Sequence, residues 1–171
     1  MLINVSGLMR ELVGSIRKYE IDDTIDLTDE DKNKKVKGEV RFIRTQRGIL
    51  AQGDLTTEAE LACSRCLRMF SCSVVVHFEE EYVPTIDMAS GAPLPPPEDP
   101  GDFTIDGQHI IDLREAIRQY ALLAIPMKPL CREDCAGLCQ TCGQNLNDSA
   151  CDCPIQDTDP RWEKLIRLME K

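Results

Sequence analysis

Eight of the nine cysteines stand in close pairs: Cys63 with Cys66, Cys131 with Cys135, Cys139 with Cys142, and Cys151 with Cys153. Structural zinc takes four ligands in a tetrahedron, with Zn–S about 2.3 Å, and accepts thiolates delivered as closely spaced pairs. Eight thiolates therefore supply two four-sulfur sites. C-x-x-C is also the spacing of thiol–disulfide exchange, but that chemistry needs one exposed pair on a thioredoxin-like unit, not four pairs. An iron–sulfur cluster draws on cysteine quartets as well, and counting cysteines leaves it open.

Two groupings satisfy the spacing. In the favoured one Cys139, Cys142, Cys151 and Cys153 form a local C-x2-C-x8-C-x-C site. Gly143 follows its first pair, where a glycine allows the positive φ that such a turn commonly needs. Cys131 and Cys135 then meet Cys63 and Cys66. The competing grouping joins Cys131, Cys135, Cys139 and Cys142 and leaves Cys151 and Cys153 for the mid-chain pair.

The elements that must position these ligands are legible upstream. Ile49, Ala51, Leu55, Ala59 and Cys63 alternate with polar residues, and the phase resumes after Cys66 at Phe70, Cys72, Val74, Val76 and Phe78. This is an antiparallel hairpin with Cys63 to Cys66 at its turn. Val36, Val40 and Phe42 mark an earlier strand turning at Gln46-Arg47-Gly48, and Leu2–Val5 and Ser15–Ile21 read as further strands around a helical turn over Leu8–Val13. Residues 86–101, rich in proline, glycine and acid, read as a flexible loop, with a short strand at Phe103–Ile105 beyond it. Leu113, Ala116, Ile117, Tyr120, Ala121 and Ala124 recur at helical spacing, with Asp112 as N-cap, Glu115 as its capping-box partner and Pro126 as the stop. Past Pro129 apolar periodicity vanishes, so metal must order that segment. Helical spacing returns in Trp162, Leu165, Ile166 and Met169.

The expected fold class is α+β: an antiparallel meander with a packed helix over residues 1–130, then a zinc-stapled, loop-rich segment with a C-terminal helix over 131–171. Cys72 falls on the core face of its strand as a small hydrophobe. His77 and His109 read as solvent-facing, and Glu79-Glu80-Glu81 point to alternating faces and cannot converge on a metal. No set of carboxylates or histidines converges for catalysis, so no enzymatic activity is expected.

The chain has 171 residues, 42% of them hydrophobic, and a formal net charge of −10. Eight bound thiolates and two divalent ions make it more acidic still. Such a surface repels nucleic acid at long range, so RNA contact requires a local basic patch. Lys32 to Arg47 offers one, with seven basic residues against a single glutamate; its candidate phosphate contacts are Lys34, Lys35, Lys37, Arg41, Arg44 and Arg47. The same run also serves as a charged sheet edge that discourages aggregation. With no apolar run long enough for a bilayer and no leader-like N-terminus, the expected setting is the reducing cytoplasm, where clustered thiols hold metal.

The segments INVSGLMRELVG, CSRCLRMF, IDLREAIRQYALLAIPMKPLC and DCAGLCQTCGQNLNDSACDC together resemble the YceD family, bacterial and plastid proteins also called large ribosomal RNA subunit accumulation proteins. The resemblance covers nearly the whole chain. It implies a non-enzymatic role in accumulation or processing of 23S ribosomal RNA and in large-subunit assembly. The implied partner is pre-ribosomal large-subunit RNA or a ribosomal or assembly protein, with no membrane and no small-molecule substrate. Some members lack the final cysteine cluster while keeping the mid-chain pair and a cysteine after the helix, which agrees with Cys63, Cys66 and Cys135 sharing a site. The rival reading is a zinc-stabilised adaptor that binds protein without touching RNA.

Overall fold

A computed structural model describes residues 1–28, 32–88, 90–97, 99 and 101–153. Its centre is an antiparallel meander of four long strands, β2 (Ile16–Ile25), β3 (Lys34–Arg44), β4 (Ile49–Ala62) and β5 (Met69–Pro84). Period-two alternation sends one side chain in two to the covered face. There Val36, Val40, Phe42, Ile49, Ala51, Leu55, Ala59, Val74, Val76, Phe78 and Tyr82 are all buried. The register sets Leu55 opposite Val76 and Ala51 opposite Glu80, so the hairpin stays in phase over its full length. Gly53 lies opposite Phe78. A Cβ there would meet the Phe78 ring at 2.1 Å, so the missing side chain is what lets that ring lie flat across β4.

The antiparallel meander expected from the alternation is present, but the sheet has a fifth strand, β6 (Phe103–Ile105), which joins β5 in parallel. A parallel neighbour requires a crossover, and residues 86–101 provide it. Their described part is tied back rather than open: Leu94 N–H donates to Thr85 O at 2.9 Å, and Asp87 N–H to Ala92 O at 2.8 Å. The first strand, β1 (Leu2–Asn4), leaves the main sheet and pairs with β7 (Ile110–Asp112) as a separate antiparallel ribbon.

Helix α2 (Arg114–Ala124) packs against β5 through Ala116, Ile117 and Ala121. Leu113 already has helical dihedrals, and Asp112 Oδ1 accepts from Arg114 N–H at 3.1 Å, the bond expected of a cap. The reciprocal half of the capping box is absent. Glu115 instead accepts from Arg118 and Gln119, and the Arg118 guanidinium beside it holds its carboxyl down at about 2. The short helix α1 (Ser6–Met9) starts two residues before the expected turn, because Asn4 Oδ1 accepts from Ser6 N–H at 3.0 Å and opens the helix there. Leu8 and Met9 thereby enter the core. The expected helix near Trp162 lies outside the described residues.

Among the described residues no helix is long and apolar enough to cross a membrane.

Candidate metal centre

The turn between β4 and β5 is a tight knuckle: Cys63 N–H donates to Arg68 O and Leu67 N–H to Cys63 O, both at 2.9 Å. The backbone after α2 is laid onto this tip by Ser64 N–H donating to Pro129 O at 2.8 Å, and Cys135 N–H closes the second arm onto Arg132 O at 3.2 Å. As a result the Sγ atoms of Cys63, Cys66, Cys131 and Cys135 all lie within 4.8 Å of one another. Cys63 and Cys135 sulfurs are 3.8 Å apart and Cys66 and Cys131 sulfurs 3.7 Å. A tetrahedron with metal–sulfur bonds of about 2.3 Å has edges of about 3.8 Å, whereas a disulfide needs about 2.05 Å. The four sulfurs are thus set for one ion, and a multi-iron cluster would hold its thiolates further apart. Cys63, Cys66 and Cys135 are buried, with Phe70, Leu130 and Leu138 packed around them.

Electrostatics agree with a ligand role. Backbone amides, those of Cys131 and Cys66 first, hydrogen-bond to the Cys63 sulfur and pull its thiol down to about 6. Burial and the neighbouring Cys66 sulfur push Cys131 up to about 12. Four thiols in so small a volume cannot all ionise alone; a divalent cation would supply the missing charge.

The second group, Cys139, Cys142, Cys151 and Cys153, also has its sulfurs within 4.8 Å. Its knuckle repeats the first: Cys139 N–H donates to Gln144 O and Gly143 N–H to Cys139 O. Amides of Cys142 and Thr141 pull the Cys139 thiol down to about 6, and the hydrogen bond with Cys142 pushes Cys153 up to about 12. This cluster is more open than the first, with Cys142 exposed. The geometry therefore selects the favoured grouping over the competing one. The first site takes two ligands from each side of the division expected at residue 130.

Gly143 has φ +76°, as the spacing requires. The equivalent position after Cys66 is Leu67, at φ +58° and 66% exposed. A side chain in this left-handed region costs roughly 1–2 kcal/mol, and so exposed a leucine contributes little packing. Leu67→Gly is expected to raise stability by about 1 kcal/mol, read as a higher thermal midpoint of the metal-loaded chain.

Sequence reasoning missed the polar residues that support the first site. Asn147 Nδ2 donates to Cys135 Sγ at 3.4 Å, while its Oδ1 accepts from Ala136 N–H at 2.8 Å and Arg132 at 2.7 Å. Arg65 donates to Cys135 O at 2.9 Å. Arg68, on the knuckle, pairs with both carboxylate oxygens of Asp148 at 2.8 and 2.9 Å. The only sequence signal was the density of Asn and Asp in the loop between Cys142 and Cys151.

The remaining candidates fall outside these sites. Cys72 lies on the covered side of β5, half-buried rather than in the core. His77 is exposed beside Asp54, its Nδ1 at 2.7 Å. His109 is not simply solvent-facing: it has φ +61°, and its Nδ1 is buried with no hydrogen-bond partner among the described residues. Glu79, Glu80 and Glu81 diverge to Gln52, Tyr120 and Thr45 respectively.

Four of the six basic candidates are engaged by acids. Lys35 and Lys37 both pair with Asp22, Lys34 with Glu60 and Arg47 with Glu81. Arg44 turns toward the β3–β4 loop and donates to Gly48 O at 2.7 Å. Arg41 is exposed and has no ion pair among the described residues.

A family model described as large ribosomal RNA subunit accumulation protein YceD matches residues 51–169, a stretch that contains all eight paired cysteines. Among curated proteins, uncharacterized proteins of Mycobacterium tuberculosis and Mycobacterium bovis are 30% identical over 77% of this chain and 60% of their own length. The Zea mays protein named large ribosomal RNA subunit accumulation protein YCED homolog 1, chloroplastic, is 30% identical over 76% of this chain and 52% of its own. The chain thus spans less than two thirds of the length of these relatives. No solved structure matches. With the family model covering well over half of the sequence and both cysteine quartets, the chain belongs to the YceD family.

Proposed function

We propose that the chain is a non-catalytic cytoplasmic factor for accumulation and processing of 23S ribosomal RNA and for assembly of the large ribosomal subunit. In this reading two zinc ions hold a rigid platform that presents a surface to pre-ribosomal RNA or to a ribosomal or assembly protein. The observation that carries it is the family match over residues 51–169. Zinc fits the residues present: four thiolates per site at tetrahedral edge lengths, two knuckles whose amides favour thiolate, and no donor other than sulfur in either quartet. When bound, the ion supplies charge compensation and cross-linking. The Cys66–Cys131 and Cys63–Cys135 contacts would then fix the α2 exit to the hairpin tip.

A second reading, an adaptor that binds protein alone, is favoured by the pairing of Lys34, Lys35, Lys37 and Arg47 with acids. Each paired lysine must give up its carboxylate before it neutralises a phosphate, which weakens the gain from counterion release. Arg41 is the side chain that contributes to RNA binding without that cost. Binding of large-subunit RNA fragments across a salt series separates the readings. Direct contact gives a steep dependence on salt, with a slope reduced by about one or more in Arg41→Glu. No binding without a partner protein favours the adaptor. In lysate gradients at low salt the chain is expected with precursors of the large subunit; finding it only at the top of the gradient would contradict both forms of the ribosomal role.

A further inference from the structure

The two metal sites are joined by side chains as well as by sequence. Asn147 belongs to the loop between Cys142 and Cys151, so its position is set by the second site, yet its amide serves the first by donating to Cys135 Sγ at 3.4 Å and accepting from Ala136 N–H at 2.8 Å. Within the loop, Asn145 Oδ1 accepts from Asn147 N–H at 3.0 Å and from Asn147 Nδ2 at 2.7 Å, which fixes the side chain's direction. Two further ties span the gap: Leu146 N–H donates to Gly137 O at 2.9 Å, and Asp148 receives Arg68 from the β4–β5 knuckle at 2.8 Å.

We propose that these contacts couple the two sites, so that an ion in the second site tightens the first, with Asn147 as the positioning residue that carries most of the coupling. Closing Cys139, Cys142, Cys151 and Cys153 on one ion pins both ends of the 143–150 loop. That holds Asn147 against Cys135, where its N–H favours the thiolate form the first site needs. With the second site empty, the loop is held by hydrogen bonds alone, such as Gly143 N–H to Cys139 O and Leu146 N–H to Gly137 O, and the donor to Cys135 is less firmly fixed. Outer contacts of this kind commonly change metal affinity by about 10–100-fold. The coupling is reciprocal by thermodynamic necessity: an ion in the first site tightens the second by the same factor.

The inference rests on both quartets binding metal, and a titration of the full-length chain with Co2+, read by its thiolate-to-metal absorption, tests the two separately. Binding constants are measured for the native chain, for Cys139→Ser/Cys142→Ser, which retains only the first site, and for Cys63→Ser/Cys66→Ser, which retains only the second. The product of the two native constants is expected to exceed the product of the single-site constants by about 10-fold or more. In Asn147→Ala the excess falls toward one while two ions still bind. Asn147→Asp keeps an acceptor for Ala136 N–H and Arg132 but removes the Nδ2 donor to sulfur and to Asn145, so it separates the amide's donating half from its accepting half should the alanine variant fail to fold. Native and single-site products equal within about threefold would overturn the coupling, and an excess unchanged in both Asn147 variants would overturn Asn147 as its carrier; either leaves two-site metal binding standing. A native chain that binds no metal ion would remove both.

Discussion

Chelation of the folded chain is expected to release two metal ions and to unfold the segment from Cys131 to Cys153, while the meander of β2 to β5 keeps its structure. The two parts differ in what holds them. The sheet buries an extensive apolar face beneath α1 and α2. Beyond Pro129, the described residues contribute to burial chiefly through Cys135 and the contacts of Leu130 and Leu138 around the first site. Leu146 is exposed. A segment with so little core depends on its ligands, and structural zinc contributes roughly 10–16 kcal/mol in small metal domains near neutral pH. Hydrogen exchange before and after chelation distinguishes the regions: loss of protection confined to residues 131–153 and the β4–β5 knuckle is the expected result. Unchanged protection after two ions have left would show that the segment folds without them.

The second large effect lies in the sheet. Phe42 is fully buried on β3, with its ring edge-on to Tyr19 at 5.4 Å between centroids. Its neighbours are held by a register running from Gly38 opposite Leu55 to Arg44 opposite Ile49, so they cannot close over a vacated ring without slipping strands. Phe42→Ala is expected to cost about 3–5 kcal/mol, measured as a shift in the denaturant midpoint of the metal-loaded chain. Metal stoichiometry should stay at two, because both quartets lie beyond the opposite end of the β4–β5 hairpin. Loss of metal together with stability would show that sheet and staples unfold as one unit.

The features legible in the sequence were those with a short period or a strict spacing. Alternation from Ile49 to Phe78 located the hairpin, the break in phase between Cys63 and Cys66 located its turn, and C-x2-C-x8-C-x-C with Gly143 distinguished the local quartet. What stayed hidden depends on three-dimensional juxtaposition. Phe103–Ile105 is three residues long, too short for its pattern to record whether its neighbour runs parallel or antiparallel. Glu115 fits a capping box by spacing, but Arg118 lies one turn along and charge outcompetes a neutral amide. The acids that pair with the basic run from Lys32 to Arg47, namely Asp22, Glu60 and Glu81, were hidden because they come from other strands. Asn147 gave no periodic signal at all, since a loop amide acquires its role only when the fold brings Cys135 to it.

In the proposed reading two mononuclear ions are each held by four sulfurs, the first fastening Cys131 and Cys135 to the hairpin tip and the second closing the loop from Cys139 to Cys153. X-ray absorption at the metal edge of gently purified protein tests it most directly. Two zinc ions per chain, with sulfur as the only neighbour at about 2.3 Å, are expected. A natively folded chain without bound metal, oxygen or nitrogen in the first coordination sphere, or a metal–metal distance characteristic of a cluster would contradict it.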